Sequence, residues 1–484
     1  MGAEWLIALT AIPLLGAMAA VVWPRRVAAL GLLTSVLTLW AAWQGAAQVW
    51  AHGPIRHLVG GWEVGLAITL RLDALAIPFV LLNVVVFLAA GVYATAYFTP
   101  AAARRFWPIW LLLLAALNAL LVADDFFHMY VALELIGLSA VGLTALGHGR
   151  EALQASLRYL LVGLIASLLY LGGVAVAYLH FGTLDIGVFK ALLDEAGDAG
   201  KTPAAMVLAL MSAGLMLKAA LFPLHFWLPP AHAAAPAPVS AALSALVVKA
   251  AWYWMLRLWL ETFEGAVSDA ALSVLAALAA AGVLWGGWRA LRALRLKHAA
   301  AYSSVAQLGY LFLAIPLLLA LPPGESRQAL LAAVVVFALA HGLAKAALFL
   351  AAGLVLQKAG HDDIRRLEGT VQSLPLTAFT LALAGVSLIG LPPSGGFLGK
   401  WFLLEAAIAT ERWWLLPVFL GGALLAGAYV FRIIRYAFGN AVNPRRMVTL
   451  AWEEWPALLL ALGATVGLGL GSAPMWVLLA GGGG

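Results

Sequence analysis

The sequence predicts an all-α polytopic membrane protein with about 14 transmembrane helices. Hydrophobic residues make up 64% of its 484 residues, charged residues make up 10%, and the mean hydropathy is +0.99. These values lie far outside the range of soluble domains. The longest polar stretches, 51–73 and 184–202, are too short to fold alone, which excludes catalysis by a globular headpiece on this chain.

Each predicted span is an apolar run long enough to cross about 30 Å of hydrocarbon. The runs lie at 3–23, 27–50, 74–97, 106–123, 125–146, 153–179, 203–227, 238–259, 269–288, 298–320, 328–357, 373–411, 413–437 and 455–479. The run 373–411 is about twice the length that a span needs. It contains the sequence Gly390-Leu-Pro-Pro-Ser-Gly-Gly396, so we interpret it as one interrupted helix.

The distribution of charge predicts the orientation. If the N-terminus lies outside, basic clusters such as Arg25/Arg26, Arg104/Arg105 and Arg289–Lys297 fall in inner loops, while Asp124/Asp125 and Glu261/Glu264 fall in outer loops. This arrangement satisfies the positive-inside rule. Both termini are therefore expected outside a bacterial inner (cell) membrane, and the net charge of +6 needs no nucleic-acid partner to explain it.

The composition also limits the chemistry of the chain. Cys is absent, which excludes disulfides, thiolate zinc sites and cysteine-ligated iron–sulfur clusters on this subunit. His225, His232 and His341 have no Cys or carboxylate at ligand spacing, so we expect no metal and no cofactor. Any redox chemistry would belong to a partner.

Five ionisable residues lie inside the apolar runs: Glu134, Lys218, Lys249, Lys345 and Lys400. Insertion scales place the cost of a charge at a helix centre at about 2.5–3.5 kcal/mol. Such residues imply pairing, buried water or a change of protonation state. They are the first candidates for a functional site.

Two of the lysines stand beside helix breakers. Pro223 follows Lys218, and the Gly390–Gly396 sequence precedes Lys400. Interrupted spans at matching positions of two halves are typical of transport pathways. Because the two interruptions lie five spans apart, we predict inverted repeats of helices 4–8 (101–260) and 9–13 (261–440), between an N-terminal three-helix segment (1–100) and a C-terminal helix (441–484). The alternative, that the prolines only kink packed helices, stays open.

The remaining candidates are defined by their spacing. Glu134 is expected to pair with Lys218, either as part of a pathway or as a static link between helices. His341 precedes Lys345 by four residues and shares its helix face, which favours a proton relay over a simple packing histidine. Glu405 either ends a path at the outer side or faces lipid headgroups.

Several motifs resemble one known family in the same order along the chain. They are Pro223-Leu-His-Phe-Trp-Leu-Pro229, Ala235-Pro-Ala-Pro-Val-Ser240 followed by Lys249, Lys297-His-Ala-Ala-Ala-Tyr-Ser-Ser-Val-Ala-Gln-Leu-Gly-Tyr310, His341-Gly-Leu-Ala-Lys345 and Leu391-Pro-Pro-Ser-Gly-Gly-Phe-Leu-Gly-Lys400. The chain thereby resembles the antiporter-like family shared by the proton-pumping membrane subunits of respiratory complex I and the Mrp cation/proton antiporters. The stretch Gly399-Lys-Trp-Phe-Leu-Leu-Glu405 favours the Mrp D-type subunit.

The resemblance implies a proton path at mid-membrane and partners that are other membrane subunits. It assigns a path position to each of Glu134, Lys218, Lys249, His341, Lys345 and Lys400. Three functions stay open: exchange of H⁺ against Na⁺ or K⁺ in an Mrp-type complex, redox-driven pumping in a complex I or membrane-hydrogenase assembly, and energising of a soluble inorganic-carbon uptake partner. Nothing in the sequence marks the coupled ion.

Overall fold

The computed structural model of the protein describes residues 2–62, 67–147, 149–441 and 451–481. Helices dominate these ranges, and the only sheet within them is an antiparallel pair of strands, Ile55–Leu58 (β1) and Thr69–Leu72 (β2). The predicted all-α polytopic membrane fold is confirmed. Parts of the predicted C-terminal segment, 442–450 and 482–484, lie outside the described residues.

The first part of the chain runs from the N-terminus to the end of the predicted eighth span. Its helices are α1 Ala3–Val22, α2 Val27–His52, α3 Ala76–Tyr97, α4 Pro100–Leu121, α5 Phe126–Thr144, α6 Gly149–Phe181, α7 Ile186–Ala196, α8 Asp198–Lys218, α9 Leu228–Ala234, α10 Ala237–Ala242 and α11 Val248–Arg257. Short 3-10 segments lie at Val59–Gly61 and Leu224–Trp227, and π-helical segments lie at Leu243–Val247 and Leu258–Thr262.

The second part begins with α12. Its helices are α12 Asp269–Arg292, α13 Leu296–Ala320, α14 Glu325–Ala359, α15 Thr370–Ser373, α16 Pro375–Ile389, α17 Gly395–Ala409, α18 Leu415–Ala437, α19 Trp455–Leu462, α20 Leu468–Leu470 and α21 Ala473–Gly481. Further 3-10 segments lie at Glu264–Ala266, Ile364–Arg366 and Ala451–Glu453, and a π-helical segment lies at Gly463–Gly467.

The described helices account for the predicted spans. Twelve are long and apolar enough to cross a bilayer, if Ala237–Thr262 is taken as one helix, and a bent C-terminal pair makes a thirteenth. The remaining predicted span corresponds to α16 and α17, which are 15 residues each and separated by a short break. The C-terminal span was predicted as one continuous helix, but it bends by 67° between Leu470 and Ala473.

Both predicted interruptions are present, and local chemistry explains them. Helix α8 ends at Lys218, five residues before Pro223, which has no backbone N–H to continue a helix. Helix α16 ends at Ile389, and the following Gly390 has a φ of 87°, which favours glycine. Ser394 caps α17 by accepting a hydrogen bond from the Phe397 N–H at 3.1 Å. The matching breaks support the predicted repeats, whose boundaries remain a prediction.

The helices differ in what they contact. The apolar window of Ala237–Thr262 is 100% buried and that of α14 is 94% buried, whereas the values for α1 and α6 are 33% and 39%. Helix α14 packs against α3, α10, α13, α16 and α17. The two innermost spans are therefore the ones that carry Lys249 and Lys345, while the peripheral helices present apolar side chains to lipid.

Small residues allow α12 and α13 to approach closely. A Cβ added at Gly286 of α12 would lie 2.5 Å from the backbone nitrogen of Ala306 in α13, which cannot move aside alone. Close backbone approach of this kind is typical of helix packing in membranes. This contact packs α12 tightly against α13, the first two helices of the second part of the chain.

We expect Gly286→Val to force α12 and α13 apart and to lower the free energy of unfolding by about 1–3 kcal/mol, the usual cost of overpacking. Gly163→Val in α6 is the matched control, because a Cβ there meets nothing within 4 Å. Unfolding in mixed micelles measures both variants. Equal stability of the two would contradict this packing.

Candidate functional site

The first predicted pair is formed. The Lys218 Nζ lies 3.7 Å from the Glu134 Oε1 and donates a hydrogen bond to the Leu133 carbonyl oxygen at 3.4 Å. Lys218 is the last residue of α8, so its position is fixed by the break that follows. Lys218 lines a cavity that is also lined by Gly137, Tyr159 and Trp227. In the isolated chain the Glu134 side chain is 25% exposed, so the pair lies near the surface of the bundle.

Lys249 lies deeper and pairs with backbone rather than with an acid. It is 1% exposed, and its Nζ donates to the Ser244 carbonyl oxygen at 3.0 Å. Ser244 belongs to the π-helical segment Leu243–Val247, and its hydroxyl lies 2.8 Å from the hydroxyl of Ser304 in α13. A small cavity beside Lys249 is also lined by Asn83. Lys249 thus stands where the two parts of the chain meet.

Helix α14 carries the predicted His341 and Lys345. Both are buried, and the Lys345 Nζ donates to the Ala300 carbonyl oxygen at 2.8 Å and to the Ser303 hydroxyl. Neither ring nitrogen of His341 has a hydrogen-bond partner within the described structure. His341 lies within electrostatic range of Lys249, Lys345 and Lys400. His341 therefore lies near both the central lysines and Lys400.

Lys400 is held by the end of the interrupted helix. Its Nζ donates to the carbonyl oxygens of Leu388 and Ile389 at 2.7 and 3.0 Å and lies 4.7 Å from the centroid of the Tyr310 ring. Carbonyls at a helix C-terminus lack intrahelical donors and favour a cation. Glu405 also lies in α17, but it is exposed and five residues away, which turns it to a different side of the helix.

Two buried basic residues could not be placed correctly from the sequence. His232 was considered there only as a metal ligand, and Lys297 was assigned to an inner loop. In the structure His232 is 0% exposed without a hydrogen-bond partner on either ring nitrogen, and Lys297 is 3% exposed. The Lys297 Nζ donates to the Ala233 and Ala235 carbonyl oxygens at 3.0 and 2.5 Å. The loop assignment was wrong because the end of α9 offers acceptors to Lys297 inside the bundle.

These residues form a series rather than one site. Its members are Glu134, Lys218, His232, Lys249, His341, Lys345 and Lys400. Groups that bind and release protons, placed in a largely apolar bundle, suit proton transfer better than ligand binding. Across the described ranges, no three His, Asp or Glu side chains are arranged to hold a metal ion.

Comparison with known proteins identifies the family. Residues 123–426 match the family described as NADH:quinone oxidoreductase/Mrp antiporter, transmembrane. The chain belongs to this family. The matched region includes every residue of the series, from Glu134 to Lys400. The resemblance predicted from the motifs is thereby confirmed.

Relatives of this family member carry names from both of its branches. The chain is 36% identical over 389 residues to the N subunit of NADH-quinone oxidoreductase from Desulforudis audaxviator, covering 80% of this chain and 75% of that protein. It is 28% identical over 398 residues to the D subunit of the Na(+)/H(+) antiporter from Alkalihalophilus pseudofirmus, covering 81% and 78%.

Two solved complexes contain chains of the same fold. A chain of the membrane-bound sulfane sulfur reductase, an archaeal respiratory membrane complex, matches with a TM-score of 0.89 and 30% identity over 98% of this chain and 96% of that one. A chain of the Mrp complex from Dietzia sp. matches with a TM-score of 0.87 and 26% identity over 99% and 96%. The fold therefore occurs both in a respiratory membrane complex and in an Mrp complex.

We expect Glu134 and Lys218 to be energetically coupled. In a double-mutant cycle of Glu134→Gln and Lys218→Gln, the interaction free energy should be about 0.5–3 kcal/mol, because each single change leaves its partially buried partner unpaired. The exposed Glu405 provides the control, since Glu405→Gln should be additive with Lys218→Gln. Unfolding in mixed micelles gives all the values, and additivity of the first pair would contradict the ion pair.

Proposed function

We propose that this chain is the proton-translocating membrane subunit of a multi-subunit cation/proton antiporter of the Mrp type, exchanging H⁺ against Na⁺ or K⁺. The observation that carries the proposal is the set of buried and partly buried lysines and histidines that includes Lys218 beside one interruption and Lys400 beside the other. Each lysine has an acceptor for its charged form, and neighbouring members can accept its proton. The family membership supports a role in ion transport.

In the proposed mechanism, protons enter from the cytoplasmic side and occupy Lys218. They pass through Lys249, assisted by His341 and Lys345, and leave near Lys400. The Glu134 carboxylate, 3.7 Å from the Lys218 Nζ, stabilises the Lys218 ammonium. A movement that separates the pair would remove this stabilisation and drive the proton toward Lys249.

The proposed partners are other membrane subunits. An ionised carboxylate that is 25% exposed on a membrane helix would be costly against lipid, so Glu134 is better accounted for at a subunit contact. The Na(+)/H(+) antiporter relatives and the Mrp complex support this assembly. We also propose that both termini lie outside the cell membrane, as the charge distribution predicts.

A second candidate is a redox-driven proton pump of the complex I or membrane-hydrogenase kind. It is favoured by the 36% identical NADH-quinone oxidoreductase relative and by the likeness to the sulfane sulfur reductase chain. The proton path would be the same, and only the energy source would differ. Mass spectrometry of the native complex purified in mild detergent separates the candidates. Iron–sulfur or nickel-binding partners favour the redox pump, antiporter-type membrane subunits alone favour exchange, and one soluble partner would contradict both.

We expect Lys218→Ala and Lys400→Ala to abolish proton flux and leave the complex assembled, because each removes a proton carrier at one end of the series. Glu405→Gln is the control in the same helix as Lys400 and should retain flux, because Glu405 is exposed and lies on a different side of that helix. Proton flux is measured in proteoliposomes with a pH-sensitive dye, and assembly by native mass spectrometry. Wild-type flux in either alanine variant would contradict the mechanism.

A further inference from the structure

A network of buried ions lies at the end of α11, on the predicted outer side. The Arg257 Nη2 lies 2.7 Å from the Asp73 Oδ2 and 2.9 Å from the Glu261 Oε2. Arg257 and Asp73 are 3% and 5% exposed. Arg71 joins the network through the Asp73 carboxylate at 2.9 Å. Burying charges carries a desolvation cost even when they are paired, so a structural or functional role is needed to account for the network.

The network lies on the same helix face as Lys249. Lys249, Tyr253 and Arg257 are spaced by four residues along α11, which places them one above another. The Arg257 Nη1 donates a hydrogen bond to the Tyr253 hydroxyl at 2.8 Å, and that hydroxyl donates to the Leu121 carbonyl oxygen at 3.3 Å. Leu121 also lines the cavity beside Lys249.

These groups form a column of polar atoms from the centre of the bundle to its outer surface. It begins at Lys249, passes Tyr253 and Arg257, and ends at Glu261, whose side chain is 38% exposed. The column therefore offers a route from Lys249 to the outer surface that is shorter than the proposed route through Lys400. A proton that used it would bypass Lys345, His341 and Lys400.

We propose that Arg257, fixed by Asp73, is a gate that closes this shorter route and keeps protons on the path to Lys400. The inference rests on the proposed proton translocation. A guanidinium keeps its proton in proteins, so it cannot carry protons onward. Its charge is balanced by Asp73 and Glu261, so it closes the column by filling it with ion-paired N–H groups that do not release protons.

Asp73 keeps the gate in place. Besides binding Arg257, its Oδ1 accepts a hydrogen bond from the Ala76 N–H at 2.9 Å, which anchors the network to the start of α3. Burial would raise the pKa of Asp73, but Arg257 and Arg71 outweigh burial and hold that pKa below its usual value. The carboxylate is therefore ionised, and the pair intact, near neutral pH.

The outer side offers a matched control in Arg56. It binds Asp124 at 3.1 Å and Asp185 at 2.8 Å, so it links three outer segments as Arg257 links α11 to α3. Its side chain is 46% exposed, and it lies on β1 rather than on the helix face of Lys249. Loss of its charge should not open the column.

We expect Arg257→Gln to raise the passive proton leak of proteoliposomes roughly tenfold, which corresponds to about 1.4 kcal/mol of barrier. Arg257→Lys keeps a positive charge and should leak much less, and Arg56→Gln should remain tight. Adding Lys249→Leu to Arg257→Gln should abolish the extra leak. If Arg257→Gln does not assemble, the double variant Asp73→Asn/Arg257→Gln leaves no unpaired charge and should show the same leak.

Three results would overturn the gate: a tight Arg257→Gln complex that still performs driven transport, a leak that persists without Lys249, or a leak of equal size in Arg56→Gln. Failure of both neutral variants to assemble, with Arg257→Lys assembling, would make the network structural and also overturn it. Absence of driven flux in the wild-type complex would instead overturn the proposed function.

Discussion

The buried ammonium groups of the described residues need acceptors, and backbone carbonyl oxygens supply most of them. Regular helices use their carbonyl oxygens internally, so acceptors are available where a helix ends or changes its hydrogen-bond pattern. Lys249 uses the π-helical segment Leu243–Val247, Lys297 uses the end of α9, and Lys400 uses the end of α16. Irregular backbone therefore accounts for these three lysines, whereas Lys345 uses the Ala300 carbonyl oxygen and the Ser303 hydroxyl within α13.

This constraint also determines how the bundle is built. Unwound backbone at membrane depth is tolerated only inside protein or beside a wet cavity, so the breaks must be covered by other helices. Gly396 allows this for the second break, because a Cβ there would lie 2.0 Å from the Ser387 carbonyl oxygen. Neutral oxygens accept the hydrogen bonds of these lysines and stabilise their charged form less than a carboxylate would. Lys218 is the exception, because Glu134 adds a carboxylate. That pair is the natural place for a change in geometry to act.

Much of the fold and of the site could be predicted because it depends on residues that lie close together in the sequence. Charges within apolar runs, the Gly390–Gly396 interruption and the four-residue spacing of His341 and Lys345 need only helical periodicity. The π-helical segment below Lys249 and the burial of Lys297 could not be predicted, since both depend on packing between distant segments. The Arg257–Asp73 pair joins residues 184 positions apart, and no local pattern indicates it.

The central claim is that protons pass from the first break to the second through Lys249. Proton flux through the reconstituted complex with Lys249→Arg tests it most directly, because arginine keeps the positive charge but does not release a proton. The account predicts an assembled complex without proton flux, and recovery of part of the flux in Lys249→His, which can release one. Wild-type flux in Lys249→Arg would contradict the account.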